Sequence, residues 1–129
     1  MRDIILVVPS SYSLEALQQS LPMSVKSVLN EEERRLSVFA DDGDVVEFVR
    51  DDSLGQYYEP EELEILSAAG RDRQYYVVHF KDIESLKPIL ASVANRQDFV
   101  IDNDFGLIAR GNDFVALCKS RPGWDWASG

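Results

Sequence analysis

The clearest pattern along the chain is a pair of short alternating apolar runs on either side of residues 41–43. Arg34–Ala40 (RRLSVFA) and Asp44–Arg50 (DVVEFVR) alternate apolar and polar positions, which is typical of strands with one buried face. The Asp42-Gly43 pair between them favours a type I′ turn, in which both central residues have positive φ. The pattern therefore predicts an antiparallel hairpin centred on Asp42-Gly43.

Further apolar runs predict the rest of a sheet. Asp3–Pro9 (DIILVVP) is apolar at successive positions, so both of its faces are expected to be buried inside the sheet. Gln74–Lys81 (QYYVVHFK) is rich in aromatic and β-branched residues, which favour strands. Weaker patterns predict strands at Ser24–Leu29, Asp98–Asp102 and Leu107–Ala109, the last two joined by the turn Asn103–Gly106.

Helices are predicted where apolar residues recur at helical spacing next to capping residues. In Asp82–Arg96 the spacing is regular, but Pro88 lies inside the segment, so this helix is expected to begin late or to kink. The other predicted helices are Leu14–Leu21 after the capping serines of Ser10–Ser13, Pro60–Ala69 ended by Gly70, and Asp113–Ser120 capped by Asn112 or Asp113. The segment Asp51–Tyr58 between elements is predicted to be a loop.

Strands and helices do not alternate regularly, because hairpins and helices follow one another in mixed order. This order predicts an α+β fold, a mainly antiparallel sheet with helices packed on it. The length of 129 residues and the absence of repeats or linkers predict one domain over residues 1–129. The longest apolar run, Ile4–Pro9, is too short for a membrane span or a signal peptide, so a cytoplasmic location is expected.

The charge changes this picture because it is confined to one part of the chain. The net charge is −10, and residues 31–64 hold 13 acidic and 3 basic residues, while the remainder is balanced with 10 of each. An acidic surface repels nucleic acid and anionic membrane, and it attracts basic proteins. We therefore expect a basic protein as partner, and neither nucleic acid nor membrane; the alternative is that the acidity serves only solubility.

Few residues are suited to catalysis, and no catalytic residue or cofactor is predicted. The chain has no glycine-rich phosphate loop and no nucleophile elbow. The one histidine, His79, lies within a predicted strand and is interpreted as structural or partner-contacting. Cys118 lies in an apolar segment and is interpreted as a core thiol.

A metal site at Asp102-Asn103-Asp104-Phe105-Gly106 is weighed and not predicted. The Asp-x-Asp start and Asp113 at the twelfth position resemble a calcium loop, but the glycine is fifth rather than sixth. A tight turn with Gly106 at positive φ explains the same residues. A carboxylate enzyme with a divalent metal at Asp102, Asp104 and Asp113 stays open as an alternative.

Short motifs in the C-terminal half give the chain a family resemblance. They are D-N-D-x-G at Asp102–Gly106, G-x-[DE]-F at Gly111–Phe114 and P-G-W-D-W at Pro122–Trp126. With the preceding aromatic strand and amphipathic helix, they resemble small bacterial cytoplasmic proteins found beside secreted polymorphic toxins as immunity proteins. The resemblance implies tight binding of a cognate toxin. Trp124 and Trp126 either staple the tail to the core or anchor an interface.

Three hypotheses of function follow. The first is a protein-binding, immunity-type inhibitor that neutralises a toxin through its acidic surface; the second is a structural or regulatory subunit of a larger assembly, and the third is the metal enzyme. The first hypothesis places partner contacts at acidic and tyrosine residues, because carboxylates steer a basic partner and tyrosine rings supply rigid contact area. These residues are Asp41, Asp42, Asp44, Glu47, Asp51, Asp52, Tyr57 and Tyr58.

Overall fold

The structure is a computed structural model that describes residues 2–103 and 106–123. The strands are β1 Arg2–Pro9, β2 Lys26–Asn30, β3 Arg35–Phe39, β4 Val45–Arg50, β5 Arg73–Phe80, β6 Val100–Asp102 and β7 Ile108–Arg110. The helices are α1 Leu14–Gln19, α2 Pro60–Leu66, α3 Ile83–Val93 and α4 Gly111–Ser120, with 3-10 turns at Asp52–Tyr57 and Ser67–Ala69.

In the described residues these strands form one sheet in the order β2-β3-β4-β5-β1-β6-β7, and every neighbouring pair is antiparallel. The predicted α+β class is confirmed. The prediction that the first apolar run is an interior strand is also confirmed, because β1 lies between β5 and β6. The Asp51–Tyr58 segment, predicted as a loop, contains a 3-10 helix.

The sheet has helices on both faces, but they cover the faces unequally. On one face, α1, α3 and α4 bury the main core, which includes Leu6, Phe48 and Val78. On the other face, α2 and the 3-10 turn after it pack over Val7 and Val100 in a smaller cluster. The second face is therefore covered around Val7, Tyr75 and Val100, whereas its β2–β4 side and the exposed Asp3 at the start of β1 stay open.

The β3–β4 hairpin is confirmed, but the predicted type I′ turn is wrong. Among the described non-glycine residues only Arg34 has positive φ, so Asp42 does not, and the positive φ lies at Gly43 (89°). Gly43 N–H donates to the Ala40 carbonyl at 3.0 Å, and Ala40 N–H donates to the Asp44 carbonyl at 2.9 Å. This is a three-residue loop, a type I turn followed by a left-handed glycine.

Helix α4 begins at Gly111, two residues before the predicted start, and its N-cap Arg110 makes no side-chain capping bond. Backbone carbonyls take the place of the predicted cap: Gly111 N–H donates to Phe99 at 2.7 Å and Asn112 N–H to Arg96 at 3.0 Å. A Cβ at position 111 would lie 2.1 Å from the Ala94 carbonyl oxygen. Only glycine permits this approach, so tertiary packing sets the start of the helix.

Candidate partner-binding surface

The three acids of the hairpin tip lie beside the first turn of α3. Asp44 Oδ2 accepts a hydrogen bond from Asp82 N–H at 3.0 Å, and Ser85 Oγ donates to Asp42 Oδ2. Asp42 Oδ1 also accepts from Asp44 N–H at 3.0 Å. The Ser85 hydrogen bond holds the pKa of Asp42 below its usual range. Asp42 and Asp44 thus fix the loop to the helix, and Asp41 is exposed.

A groove of about 320 Å³ opens between the hairpin tip, α3 and the segment before β2. We call it the tip groove. Its apolar lining comprises Val25, Ala40 and Ile89, with Pro22 and Pro88. The carboxylates that line it belong to Asp41 and Asp42 of the hairpin and Glu84 of α3, and all of them are exposed residues. The groove thus combines apolar contact area with negative charge contributed by two elements.

The acids at the other end of β4 are occupied by intramolecular partners. Asp52 accepts hydrogen bonds from Arg34 at 2.7 Å and from Arg50 at 3.0 Å. The hydrogen bond from Arg50 is the main cause of the lowered pKa of Asp52. Asp51 accepts from the Ser53 amide at 3.1 Å and from the Ser53 hydroxyl at 2.6 Å. Because these carboxylates are already paired, they contribute less attraction to a partner than their number suggests.

The two adjacent tyrosines have different surroundings. Tyr57 is 72% exposed. Tyr58 donates its hydroxyl to Asp102 Oδ2 at 2.9 Å, and its ring stacks on Tyr75 with centroids 6.2 Å apart. Burial is the main cause that raises the pKa of Tyr58 well above its usual range. Tyr58 therefore holds elements together, while Tyr57 is accessible to a partner.

The predicted contact residues fall into three places. The residues of β4 rise about 3.3 Å each, so its two ends are separated by roughly 17 Å. Asp41, Asp42 and Asp44 lie at one end, and Asp51, Asp52 and the tyrosines follow the other. Glu47 lies between them on the second face of the sheet.

That second face holds a surface that the sequence patterns did not reveal. We call it the open sheet face. It carries half-buried or exposed apolar side chains that belong to neither core cluster: Val28, Phe39, Val45, Val49 and Val77. The alternation within each strand predicted their direction, but only the strand order shows that α2 does not reach them.

A row of polar side chains crosses the open sheet face. Ser37 of β3 is paired with Glu47 of β4, Glu47 with His79 of β5, and His79 with Asp3 of β1. We call Ser37-Glu47-His79-Asp3 the polar row. His79 Nδ1 lies 2.5 Å from Asp3 Oδ1, and Arg35 Nη1 lies 3.3 Å from Glu47 Oε2. His79, interpreted from the sequence as structural or partner-contacting, contacts Asp3 of the same chain.

The metal alternative gains nothing from the described residues. Asp102 and Asn103 are buried; Asp102 is bound to Tyr58, and the Asn103 side chain accepts from Leu107 N–H at 3.0 Å, as in a tight turn. Within residues 2–103 and 106–123, no group of three or more His, Cys, Asp or Glu residues could hold a metal ion. Asp104, Phe105, Trp124 and Trp126 lie outside the described residues. Cys118 is half-buried and packs against the main core.

In the described part of the chain, no helix has both the length and the apolar character needed to cross a membrane. Comparison of the chain with protein-family models, with curated proteins and with solved structures found no match.

Proposed function

We propose that this protein is a protein-binding module that engages a basic partner protein at the tip groove. An immunity-type inhibitor of a bacterial toxin is the concrete form that the C-terminal motifs favour. The supporting observation is the tip groove itself, where exposed carboxylates of the hairpin and α3 border an apolar lining.

The chemistry of the tip groove suits a lysine or arginine side chain of the partner. The methylene stem of such a side chain packs on apolar surface while its charged group stays at the carboxylates. The loop carrying Asp41 and Asp42 is already fixed to α3 through Ser85 and Asp82. A preorganised site loses less conformational entropy on binding, so more of the contact energy appears as affinity.

The partner to test is the protein encoded beside this gene, measured by calorimetric titration with the purified full chain. Asp41→Lys reverses an exposed charge in the groove, and we expect it to weaken binding about 10- to 100-fold. Glu32→Lys is the matched control, because it changes the net charge equally on an exposed residue between β2 and β3.

We expect Asp41→Lys and Glu32→Lys to differ in their affinity for the partner. The proposal would be contradicted if the product of the neighbouring gene did not bind, or if both variants lost affinity equally. Weakening by Asp41→Lys alone, with the affinity of Glu32→Lys within about twofold of wild type, would support it. A poly-lysine peptide titrated in parallel reports whether charge alone is sufficient for binding.

The open sheet face favours a second function, that of a subunit in an assembly. An isolated molecule leaves the apolar side chains of β2–β5 in contact with water. Contiguous exposed apolar surface on a soluble protein commonly marks an interaction site. The two functions are compatible, because the tip groove lies at the end of the strands beside α3, away from the open sheet face.

A further inference from the structure

The order of residues in the polar row is self-complementary. Read from β3 to β1 it is Ser37, Glu47, His79, Asp3, and these residues are direct cross-strand neighbours. When the row of a second copy is turned end to end and placed against the first, serine lies opposite aspartate and glutamate lies opposite histidine. Each such contact joins a hydrogen-bond donor to a carboxylate, and each occurs twice.

We propose that the open sheet face binds a second copy of this chain, with a twofold axis that runs along the strands between β4 and β5. A twofold interface uses the same patch on both subunits, so residue i contacts residue j and j contacts i. Glu47 then faces His79 of the second copy, and Ser37 faces Asp3 of the second copy.

One apolar pair beside the polar row obeys the same symmetry. Val49 is the cross-strand neighbour of Val77. The axis between β4 and β5 places Val49 of each copy against Val77 of the other copy. The polar row thus sets the register, and the valines contribute apolar burial. Two sheets with aligned strands pack in this way in β-sandwiches, about 10 Å apart.

Charge favours a second copy over a basic partner at this surface. With a net charge of −10, two copies repel each other overall. On the open sheet face, however, Lys26 and Arg35 offset Glu47 and Asp3. Like-charge repulsion between copies is therefore small at this face, and a basic protein would find more negative charge at the tip groove.

The size of the face predicts a reversible dimer. The axis overlaps strands β3, β4, β5 and β1, so three strand spacings and three residue rows cover an area of about 15 Å by 20 Å, or roughly 300 Å² per copy. Stable interfaces usually bury about 800 Å² per partner. We therefore expect a dimer that dissociates on dilution.

The test is sedimentation equilibrium of the full chain from about 10 μM to about 1 mM, a range that detects weak association. We expect the wild type to approach the dimer mass as concentration rises. Glu47→Lys places lysine against histidine, and His79→Glu places glutamate against glutamate, so each should be monomeric. The double variant places lysine against glutamate across the axis and should dimerise again.

A second pair of variants tests the apolar contact. Val49→Asp should abolish the dimer, whereas Met23→Asp, at a fully exposed residue outside the open sheet face, should not. Thermal melting of each variant checks that loss of the dimer is not loss of the fold. A monomeric wild type at about 1 mM, or a double variant that stays monomeric while folded, would overturn the proposal.

If the charge variants do not fold, cross-linking tests the twofold arrangement instead. Ser37 and Asp3 of one chain are three strand spacings apart, about 14 Å, beyond the reach of a disulfide. A mixture of Ser37→Cys and Asp3→Cys chains, treated with a short bis-maleimide, should give cross-linked dimer well above the wild-type background from Cys118. A mixture that gives only the background would refute the twofold arrangement.

Discussion

At the scale of single residues, the useful distinction is between carboxylates that hold the fold and carboxylates that face solvent. Asp42 and Asp44 accept hydrogen bonds that fix the hairpin loop, and Asp52 pairs with two arginines. Asp41 is as exposed as Asp42 and Asp52, but in the described part of the chain its side chain makes no hydrogen bond or ion pair to another element. The acidic stretch could be located from the sequence, but the accessible part of it could not, because hydrogen-bond partners come from other elements.

Tyr76 gives a prediction at the same scale. Its side chain is fully buried, its hydroxyl lies 2.9 Å from the Tyr12 carbonyl oxygen, and burial raises its pKa to about 12. At neutral pH, Tyr76→Phe should lower the free energy of unfolding by about 1 kcal/mol, the net value of a buried hydrogen bond.

The cost of Tyr76→Phe should disappear at high pH. An unfolded tyrosine ionises near pH 10, so the stability that neutral Tyr76 contributes is complete below that pH and is lost as pH rises towards about 12. Urea unfolding at about pH 9 and pH 11 should show the difference between wild type and variant shrink by about 1 kcal/mol. Tyr57→Phe, at an exposed site, is the control; an unchanged difference would contradict the prediction.

At the scale of elements, α3 shows how tertiary contacts override local preference. The helix runs from Ile83 to Val93 with Pro88 inside it, and the sequence left open whether it begins late or kinks. It begins ahead of the proline, because Asp82 caps it through Glu84 N–H at 3.0 Å and its apolar side chains Leu86 and Leu90 are buried in the main core. Packing thus outweighs the hydrogen bond that proline cannot make.

Replacing that proline should stabilise the protein. Pro88 is exposed, so Pro88→Ala removes no core contact, and it restores an N–H that can bond to the Glu84 carbonyl. We expect the free energy of unfolding to rise by about 1–2 kcal/mol, after subtraction of the greater freedom of the unfolded chain. Urea unfolding measures it. Pro60→Ala, at the first position of α2, should instead lower the free energy of unfolding by up to about 1 kcal/mol. Equal changes in the free energy of unfolding of the two variants would contradict this expectation.

At the scale of the whole molecule, the fold divides one acidic stretch among several sites. The acids of residues 31–64 lie in the β2–β3 turn, at the hairpin tip, along β4 and on α2. Some are neutralised by arginine, but the net charge of −10 remains on a small domain. Self-repulsion on this scale destabilises the compact state.

Salt should therefore stabilise the protein. Raising NaCl from about 10 mM to about 300 mM screens repulsion between exposed charges, and we expect the melting temperature to rise by roughly 3 °C. Glu32→Lys/Glu33→Lys carries less net charge, so its salt response should be smaller. A melting temperature that falls with salt would mean that exposed ion pairs outweigh the repulsion.

The sequence by itself determined the class of the fold, the hairpin, the interior strand and the location of the charge. These features follow from local patterns: side-chain period, turn residues and composition act over a few neighbouring residues. The Asp42-Gly43 pair located the turn but not its type: positive φ lies at Gly43 and not at Asp42, which accepts hydrogen bonds from Asp44 N–H and Ser85 Oγ.

Only the tertiary structure decided which side chains meet. Ser37, Glu47, His79 and Asp3 are far apart in the sequence, and the order β3-β4-β5-β1 makes them one row. The tip groove likewise needs α3 to pack beside a hairpin formed about 40 residues earlier. Strand order and helix placement arise from burial of the whole apolar surface at once, and no short segment of the sequence contains that information.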